Sequence, residues 1–139
     1  MRTIYFDASV ALRWALRQPN FLDIAALDAV GVVSTLVRTE CWRTLDRKRH
    51  EKGMTIQQRD EHEASLNALF QSVQEVDLTR AVLRRAALPL AAPVGTLDAM
   101  HLATALLWRE LRGEDIEFAT HDRDLAQAAR LYGFPVIGV

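Results

Sequence analysis

The sequence has little cysteine and no long apolar run. Its only cysteine is Cys41, which cannot form an internal disulfide and has no cysteine or histidine cluster beside it that would indicate a zinc site. No segment approaches the roughly 18 consecutive apolar residues that a membrane-spanning helix needs. The N-terminal stretch carries an acid and two internal arginines, unlike a signal peptide. We therefore expect a cytoplasmic protein with no membrane partner.

The chain also lacks a strong charge of either sign. Its formal net charge is -1, so no global positive field indicates nucleic-acid binding, and any contact with phosphates requires a local basic patch. Hydrophobic residues make up 50% and charged residues 25% of the 139 residues, as in globular proteins. With no linker, repeat or low-complexity tract, the sequence predicts one domain, residues 1–139.

Short apolar segments of strand type alternate with segments of helical spacing. The predicted strands are 3–6, 30–33, 73–78, 116–119 and 135–139. The predicted helices are 9–16, 21–28, 35–52 after a cap at Ser34 or Thr35, 55–72, 80–88, 96–111 capped by Thr96, and 122–132. This alternation predicts an α/β fold with a parallel sheet covered on both faces.

Two acids come directly after predicted strands, where open α/β sheets border their ligand crevice. Asp7 follows the first strand, and its position suits either a site residue or a helix N-cap. Ser9 suits a cap or the holding of a metal-bound water. Asp122 repeats the situation of Asp7, and either it or Asp124 is placed to cap the last helix.

Glu40 falls on the apolar face of the long helix, among Leu36, Val37, Cys41 and Leu45. A buried, unpaired glutamate is costly, so the position indicates either a functional site or a buried ion pair with an arginine.

Asp98 lies in the first turn of an otherwise apolar helix. Acids there interact favourably with the helix dipole, which leaves a structural role open. His101, one turn later, is more typical of a satisfied core or rim histidine than of a ligand, and His121 is expected at the surface.

All four acids fit one crevice at one edge of the sheet. Carboxylates held close together repel and raise one another's pKa, and a bound cation removes that cost. Oxygen ligands favour Mg²⁺, with Mn²⁺ as a substitute, over Zn²⁺.

The chain resembles the PIN-domain family, and within it the VapC-type toxins of bacterial toxin–antitoxin pairs. The stretches that carry the resemblance are YFDAS (5–9), RTE (38–40), TLDAMHLATAL (96–106) and ATHDRDLAQAARLYG (119–133). It implies a three-layer α/β/α sandwich and a Mg²⁺-dependent ribonuclease whose acidic set is Asp7, Glu40, Asp98 and Asp122. Thr120 also matches a polar position of the family pattern.

The chemistry expected from this resemblance is metal-assisted hydrolysis of structured RNA. Asp7, Asp98 and Asp122 would hold one ion, and Glu40 would hold a second ion or position water. Substrate phosphates would meet local positive charge. The candidate cations are Arg13 and Arg17 on one helical face, and the run Arg43, Arg47, Lys48, Arg49 and Lys52.

The resemblance further implies a homodimer and a small VapB-type antitoxin that inserts an arginine into the acidic site. The candidate apolar contacts for partners are Leu12, Trp14, Leu16, Trp42 and Trp108. Two other interpretations remain: a catalytically silent PIN-fold module that binds RNA or a partner, and a phosphatase with Asp7 as nucleophile. The phosphatase ranks low because Ser9 stands where that chemistry commonly wants a second acid.

Overall fold

Strands and helices alternate along the chain as the sequence pattern predicts. The computed structural model describes all residues, 1–139. The strands are β1 (Arg2–Phe6), β2 (Ala29–Ser34), β3 (Gln74–Val76), β4 (Glu117–Ala119) and β5 (Val136–Ile137). The helices are α1 (Ala8–Ala15), α2 (Leu36–Lys52), α3 (Ile56–Gln71), α4 (Arg80–Ala87), α5 (Thr96–Arg112) and α6 (Arg123–Leu131).

The five strands form one sheet in the order β3-β2-β1-β4-β5, and every neighbouring pair is parallel. The carboxyl ends of all the strands therefore lie at the same edge. Helices α1, α2 and α3 cover one face, while α5 and α6 cover the other, with α4 packed on α5. This is the predicted three-layer α/β/α sandwich.

The central strand β1 shows how the sequence sets the two faces. Because alternate side chains of a strand point to opposite faces, Ile4 and Phe6 pack with α1, α2 and α3, whereas Tyr5 packs with α5 and α6. All three side chains are fully buried. Burial of large apolar side chains of this kind stabilises the fold by about 2 kcal/mol each.

The charged helical hairpin of α2 and α3 is closed by two local signals. Gly53 ends α2 in the left-handed conformation, with φ at 65°. Thr55 then starts α3 with a capping box, in which its hydroxyl and the side chain of Gln58 satisfy each other's backbone N–H groups.

Two predictions between β1 and β2 are wrong. The helix predicted for residues 21–28 is only a three-residue 3-10 turn, Ile24–Ala26. Asp23, which precedes the turn, makes no capping bond and instead accepts a 3.1 Å hydrogen bond from the indole of Trp14. Arg17 lies beyond the end of α1 with φ at 53°, so it does not share a helical face with Arg13.

None of the helices combines the length and the apolar character that crossing a lipid bilayer would require.

Candidate active site

The four acids come from the elements that meet at the carboxyl edge of the sheet. Asp7 and Asp122 follow the neighbouring strands β1 and β4, Glu40 lies on α2 after β2, and Asp98 lies in the first turn of α5. They are close enough to act on one another, because the negative charges of Asp122, Asp7 and Glu40 all raise the pKa of Asp98. No lysine or arginine forms a salt bridge with any of the four.

Asp7 has the most constrained carboxylate of the set. It is buried and accepts hydrogen bonds from the hydroxyl of Ser9 (2.6 Å, to Oδ1), the hydroxyl of Thr120 (2.7 Å, to Oδ2) and the backbone N–H of Val10 (3.3 Å). Burial raises the pKa of Asp7, and the hydrogen bonds from Ser9 and Thr120 offset part of that rise. Asp7 is thus the N-cap of α1, as one of its two interpretations predicted.

Ser9 and Thr120 also connect α1 to the end of β4. The Ser9 hydroxyl accepts the backbone N–H of His121 at 2.9 Å, and the Thr120 hydroxyl accepts that of Asp122 at 3.0 Å. Gly138 closes over this turn with φ at 101°, and a Cβ there would lie 2.6 Å from the carbonyl oxygen of Thr120. Ser9, Thr120 and Gly138 therefore all restrain the backbone of this turn.

Asp98 carries the clearest uncompensated charge. Burial raises its pKa to about 6, helped by the charges of Asp122 and Asp7 and only partly countered by His101.

The predicted cap at Thr96 is wrong, since Gly95 precedes α5 in extended conformation and makes no side-chain cap bond. At the long helix α2 the capping bond comes from Ser34, whose hydroxyl accepts the N–H of Leu36 at 3.1 Å, and not from Thr35.

Glu40 is paired, but with a histidine and not with the arginine considered for it. Its Oε1 accepts a 2.5 Å hydrogen bond from Nε2 of His101. His101 is 1% exposed, and its Nδ1 lies 2.5 Å from the hydroxyl of Tyr5. Burial lowers the pKa of His101, but the hydrogen bond to Glu40 and the negative charges of Glu40, Asp7 and Asp98 together outweigh it, so the pKa is raised.

The sequence indicated His101 as a satisfied core or rim residue, and the structure places it in the core. Neither its bond to Glu40 nor its contact with Tyr5 was anticipated. A buried tyrosine hydroxyl requires a partner, and the alternation of β1 places Tyr5 toward α5; together these were the available signals. His121 is not the surface residue predicted: it is half-buried, and its Nδ1–H donates a 2.6 Å hydrogen bond to the carbonyl of Gly138.

Asp122 is the N-cap of α6, which resolves the choice between it and Asp124. Its Oδ1 accepts the backbone N–H groups of Asp124 (2.9 Å) and Leu125 (3.1 Å). The side chain of Asp124 is exposed in the first turn of α6.

The acidic side chains suit a Mg²⁺ ion that keeps several of its water ligands. No three histidine, cysteine, aspartate or glutamate side chains already converge as a closed set of ligands. Mg²⁺ does not require such a cage, because it keeps several waters and takes only one or two carboxylates in most sites. The raised pKa of Asp98 shows the electrostatic cost that a divalent cation would relieve. We therefore regard the pocket as compatible with a largely hydrated ion.

Comparison with known proteins gives one family and a consistent fold. The family model described as "PIN domain" matches residues 4–131. No curated protein matches the sequence.

Several solved structures share the fold across almost the whole chain. PAE2754 from Pyrobaculum aerophilum superposes with a TM-score of 0.64 at 18% identity, over 97% of this chain and 83% of that one. VapBC2 from Rickettsia felis, bound to a DNA fragment from its promoter, gives 0.61 at 11% identity, over 97% of each. The sarcin-ricin loop cleaving toxin VapC20 of Mycobacterium tuberculosis gives 0.60 at 18% identity, over 98% of each. At these identities the likeness establishes the fold.

Proposed function

This chain belongs to the PIN-domain family, and we propose that it is a Mg²⁺-dependent endoribonuclease, the toxin of a type II toxin–antitoxin pair. The observation that carries the proposal is the acidic pocket. There the pKa of Asp98 is raised to about 6 by burial and by the charges of Asp122, Asp7 and Glu40, with no lysine or arginine paired to them. A metal-dependent phosphodiester hydrolase needs such a pocket to bind a cation beside the scissile phosphate.

In this proposal Asp7, Asp98 and Asp122 would surround the ion, in part through its water ligands, and Glu40 would act at the edge of the site. When bound, Mg²⁺ supplies Lewis-acid assistance to the attack of water on phosphorus. Ser9 and Thr120 hold the Asp7 carboxylate in one orientation, so little reorganisation is needed when the site is filled.

Two side chains that could compete with water as nucleophiles are either protonated or already hydrogen-bonded. Cys41 is buried, and burial raises the pKa of its thiol, which keeps it protonated. The hydroxyl of Ser9 already donates to Asp7. We therefore propose cleavage by a water molecule, which bonds to phosphorus as the ribose oxygen leaves.

The basic run on α2 supplies the contacts proposed for RNA phosphates. Within it, Arg43 and Arg49 are both engaged by Asp46, at 2.9 and 3.1 Å. Arg47 forms no salt bridge and is exposed. It stands seven residues after Glu40, about two helical turns and ~10 Å along the same face.

Two protein partners belong to the proposal. A VapB-type antitoxin is supported by the likeness to the Rickettsia felis VapBC2 structure. It is also supported by a structure named as a toxin–antitoxin complex from Klebsiella pneumoniae. That structure superposes with a TM-score of 0.60 at 18% identity over 96% of this chain and 95% of that one. An acidic pocket with no lysine or arginine of its own suits a cationic group from such a partner. On α2, a surface cavity of about 360 Å³ lined by Arg38, Thr39, Trp42 and Arg43 offers apolar contact through Trp42.

A second copy of the chain is the other proposed partner. An apolar groove of about 460 Å³ lies between α4 and the start of α5, lined by leucine, alanine and valine side chains that include Leu83, Leu88 and Val94. Leu83 is 40% and Leu88 is 54% exposed. We propose that homodimer formation covers this groove, because exposed apolar patches of this kind usually mark interfaces.

The test is cleavage of a structured RNA with Mg²⁺, with Mn²⁺ and with a chelator. We expect cleavage that depends on the ion and falls at least 100-fold in the Asp7→Asn and Asp98→Asn variants. Asp115→Asn, which changes an exposed aspartate after α5, is the matched control. Cleavage that survives both site substitutions would count against the proposal.

A catalytically silent RNA- or partner-binding module is the second candidate. The pairing of Glu40 with His101 favours it, because that bond gives one acid a hydrogen-bond donor without a metal ion. The same assay separates the two candidates, since a silent module binds RNA without cutting it in any ion.

A further inference from the structure

Three side chains from three different elements form a continuous hydrogen-bonded series next to the acidic pocket. Tyr5 of β1 and His101 of α5 are joined at 2.5 Å, and His101 and Glu40 of α2 are joined at 2.5 Å. Tyr5 and His101 are 0% and 1% exposed, and the side chain of Glu40 is 19% exposed. The series thus runs from the interior of the sheet to the edge of the pocket.

The direction of the hydrogen bonds follows from what each group can donate. A carboxylate only accepts, so Nε2 of His101 carries the hydrogen and donates it to Glu40. In a neutral ring Nδ1 then carries no hydrogen and accepts from the hydroxyl of Tyr5. In this arrangement the tyrosine hydroxyl and both ring nitrogens each have a partner, which a buried polar group requires.

His101 is the side chain that determines where the Glu40 carboxylate sits. A glutamate has three rotatable side-chain bonds, and Val37, Cys41 and Leu45, its neighbours on α2, are buried residues of the apolar core. The bond from His101 is the one hydrogen bond that Glu40 accepts, and it occupies Oε1 alone. Oε2 is left for another contact.

We infer that His101, itself held by Tyr5, is a positioning residue that fixes the carboxylate of Glu40 for its part in the acidic site. What that site does rests on the proposed function; that His101 acts through Glu40 rests on the hydrogen bonds alone. Partners of this kind, one step removed from a bound ion, typically change metal affinity or activity by 10- to 100-fold when they are lost.

The test compares two substitutions of His101 by the Mn²⁺ dissociation constant and by the rate of RNA cleavage at saturating ion. His101→Leu keeps an apolar volume but removes the donor to Glu40, and His101→Gln keeps an N–H donor. We expect Mn²⁺ binding about 10-fold weaker in the leucine variant and within about threefold of wild type in the glutamine variant. His62→Gln on α3 is the matched control and should change neither value. Wild-type affinity and rate in both His101 variants would overturn the inference.

A double-mutant cycle separates positioning from a purely structural role. If His101 acts through Glu40, His101→Leu should have little further effect on Mn²⁺ binding in a Glu40→Gln background. A loss as large in that background as in the wild type would mean that His101 only supports the core, and would overturn the inference. Should the leucine variant fail to fold, Tyr5→Phe completes the cycle: it should weaken Mn²⁺ binding by about threefold in the wild type and leave it unchanged in the Glu40→Gln background.

The two proposals fail in different ways. A wild-type protein that binds Mn²⁺ in a manner dependent on His101 and Glu40, yet cuts no RNA, would contradict the nuclease proposal and support the positioning role. A protein that cuts RNA with equal efficiency with and without the His101 donor would support the nuclease proposal and contradict the positioning role.

Discussion

Asp7 and Thr120 lie 113 positions apart in the sequence, yet the hydroxyl of Thr120 donates a 2.7 Å hydrogen bond to Oδ2 of Asp7. The same hydroxyl accepts the backbone N–H of Asp122 at 3.0 Å. One small side chain therefore connects the acids that follow β1 and β4, and its loss should disturb both at once.

The first prediction concerns this hydroxyl. Thr120→Val keeps the shape of the side chain but leaves the buried carboxylate of Asp7 without one of its donors. We expect the free energy of unfolding to fall by about 1 to 3 kcal/mol, as for other buried polar groups that lose a partner. Mn²⁺ affinity should fall about 10-fold. Urea unfolding and calorimetric titration measure the two effects.

Thr3→Val on β1 is the matched control, because Thr3 makes no side-chain hydrogen bond and lies at the opposite end of the strand from Asp7. It should leave the ion affinity unchanged. Wild-type ion affinity in Thr120→Val would show that this hydroxyl does not organise the pocket.

The architecture could be predicted from the sequence because its signals are local and repeated. Short apolar segments such as 3–6 and 116–119 allow little but buried strands, and their alternation with helices requires parallel pairing. Asp7 and Asp122 could be placed in one region for the same reason, since the ends of parallel strands share an edge. Family membership then followed from nearly the whole chain.

What could not be predicted depends on contacts between distant segments. The bond of Glu40 to His101 requires knowing how α2 and α5 approach one another, which no spacing reports. The failed helix at residues 21–28 contains a contact of the same kind, since Asp23 accepts a hydrogen bond from the indole of Trp14 on α1. The two histidines were placed from what is typical of this residue type, and that prediction succeeded for His101 and failed for His121.

The second prediction concerns the pH dependence of stability. Asp98 has a pKa of about 6 in the folded protein against an ordinary value of 3.8, so the folded state binds its proton more tightly than the unfolded state. Its contribution to stability therefore falls as the pH rises from about 4 to 6 and stays low above that range. In a chelator at pH 7, Asp98→Asn should be more stable than wild type by about 1 kcal/mol after allowance for solvent screening.

The advantage of Asp98→Asn should vanish near pH 4, where the wild-type carboxyl is protonated in the folded protein. Added Mg²⁺ should raise the melting temperature of wild type more than that of the variant. Asp115→Asn, at an exposed position, should show neither effect. A variant less stable than wild type at pH 7 without metal would contradict the electrostatic account of the pocket.

The third prediction concerns Arg47. Because Arg43 and Arg49 already pair with Asp46, Arg47 is the exposed arginine of this run that remains available to a phosphate on the Glu40 face of α2. Arg47→Ala should weaken RNA binding and lower the slope of log affinity against log salt by about one. Arg130→Ala at the end of α6 is the control. Equal salt slopes for wild type and Arg47→Ala would remove Arg47 from the RNA path.

The last prediction concerns the apolar groove between α4 and α5. If a second copy covers it, a glutamate introduced there must be desolvated in the dimer, which costs several kcal/mol for an unpaired charge. Leu83→Glu and Leu88→Glu should therefore shift sedimentation toward the monomer, each by at least 10-fold in dissociation constant. Leu111→Glu at the end of α5 tests the specificity of the effect, since Leu111 is 83% exposed and lies outside the groove. Dimers that persist in both groove variants would mean that the copies associate through another face.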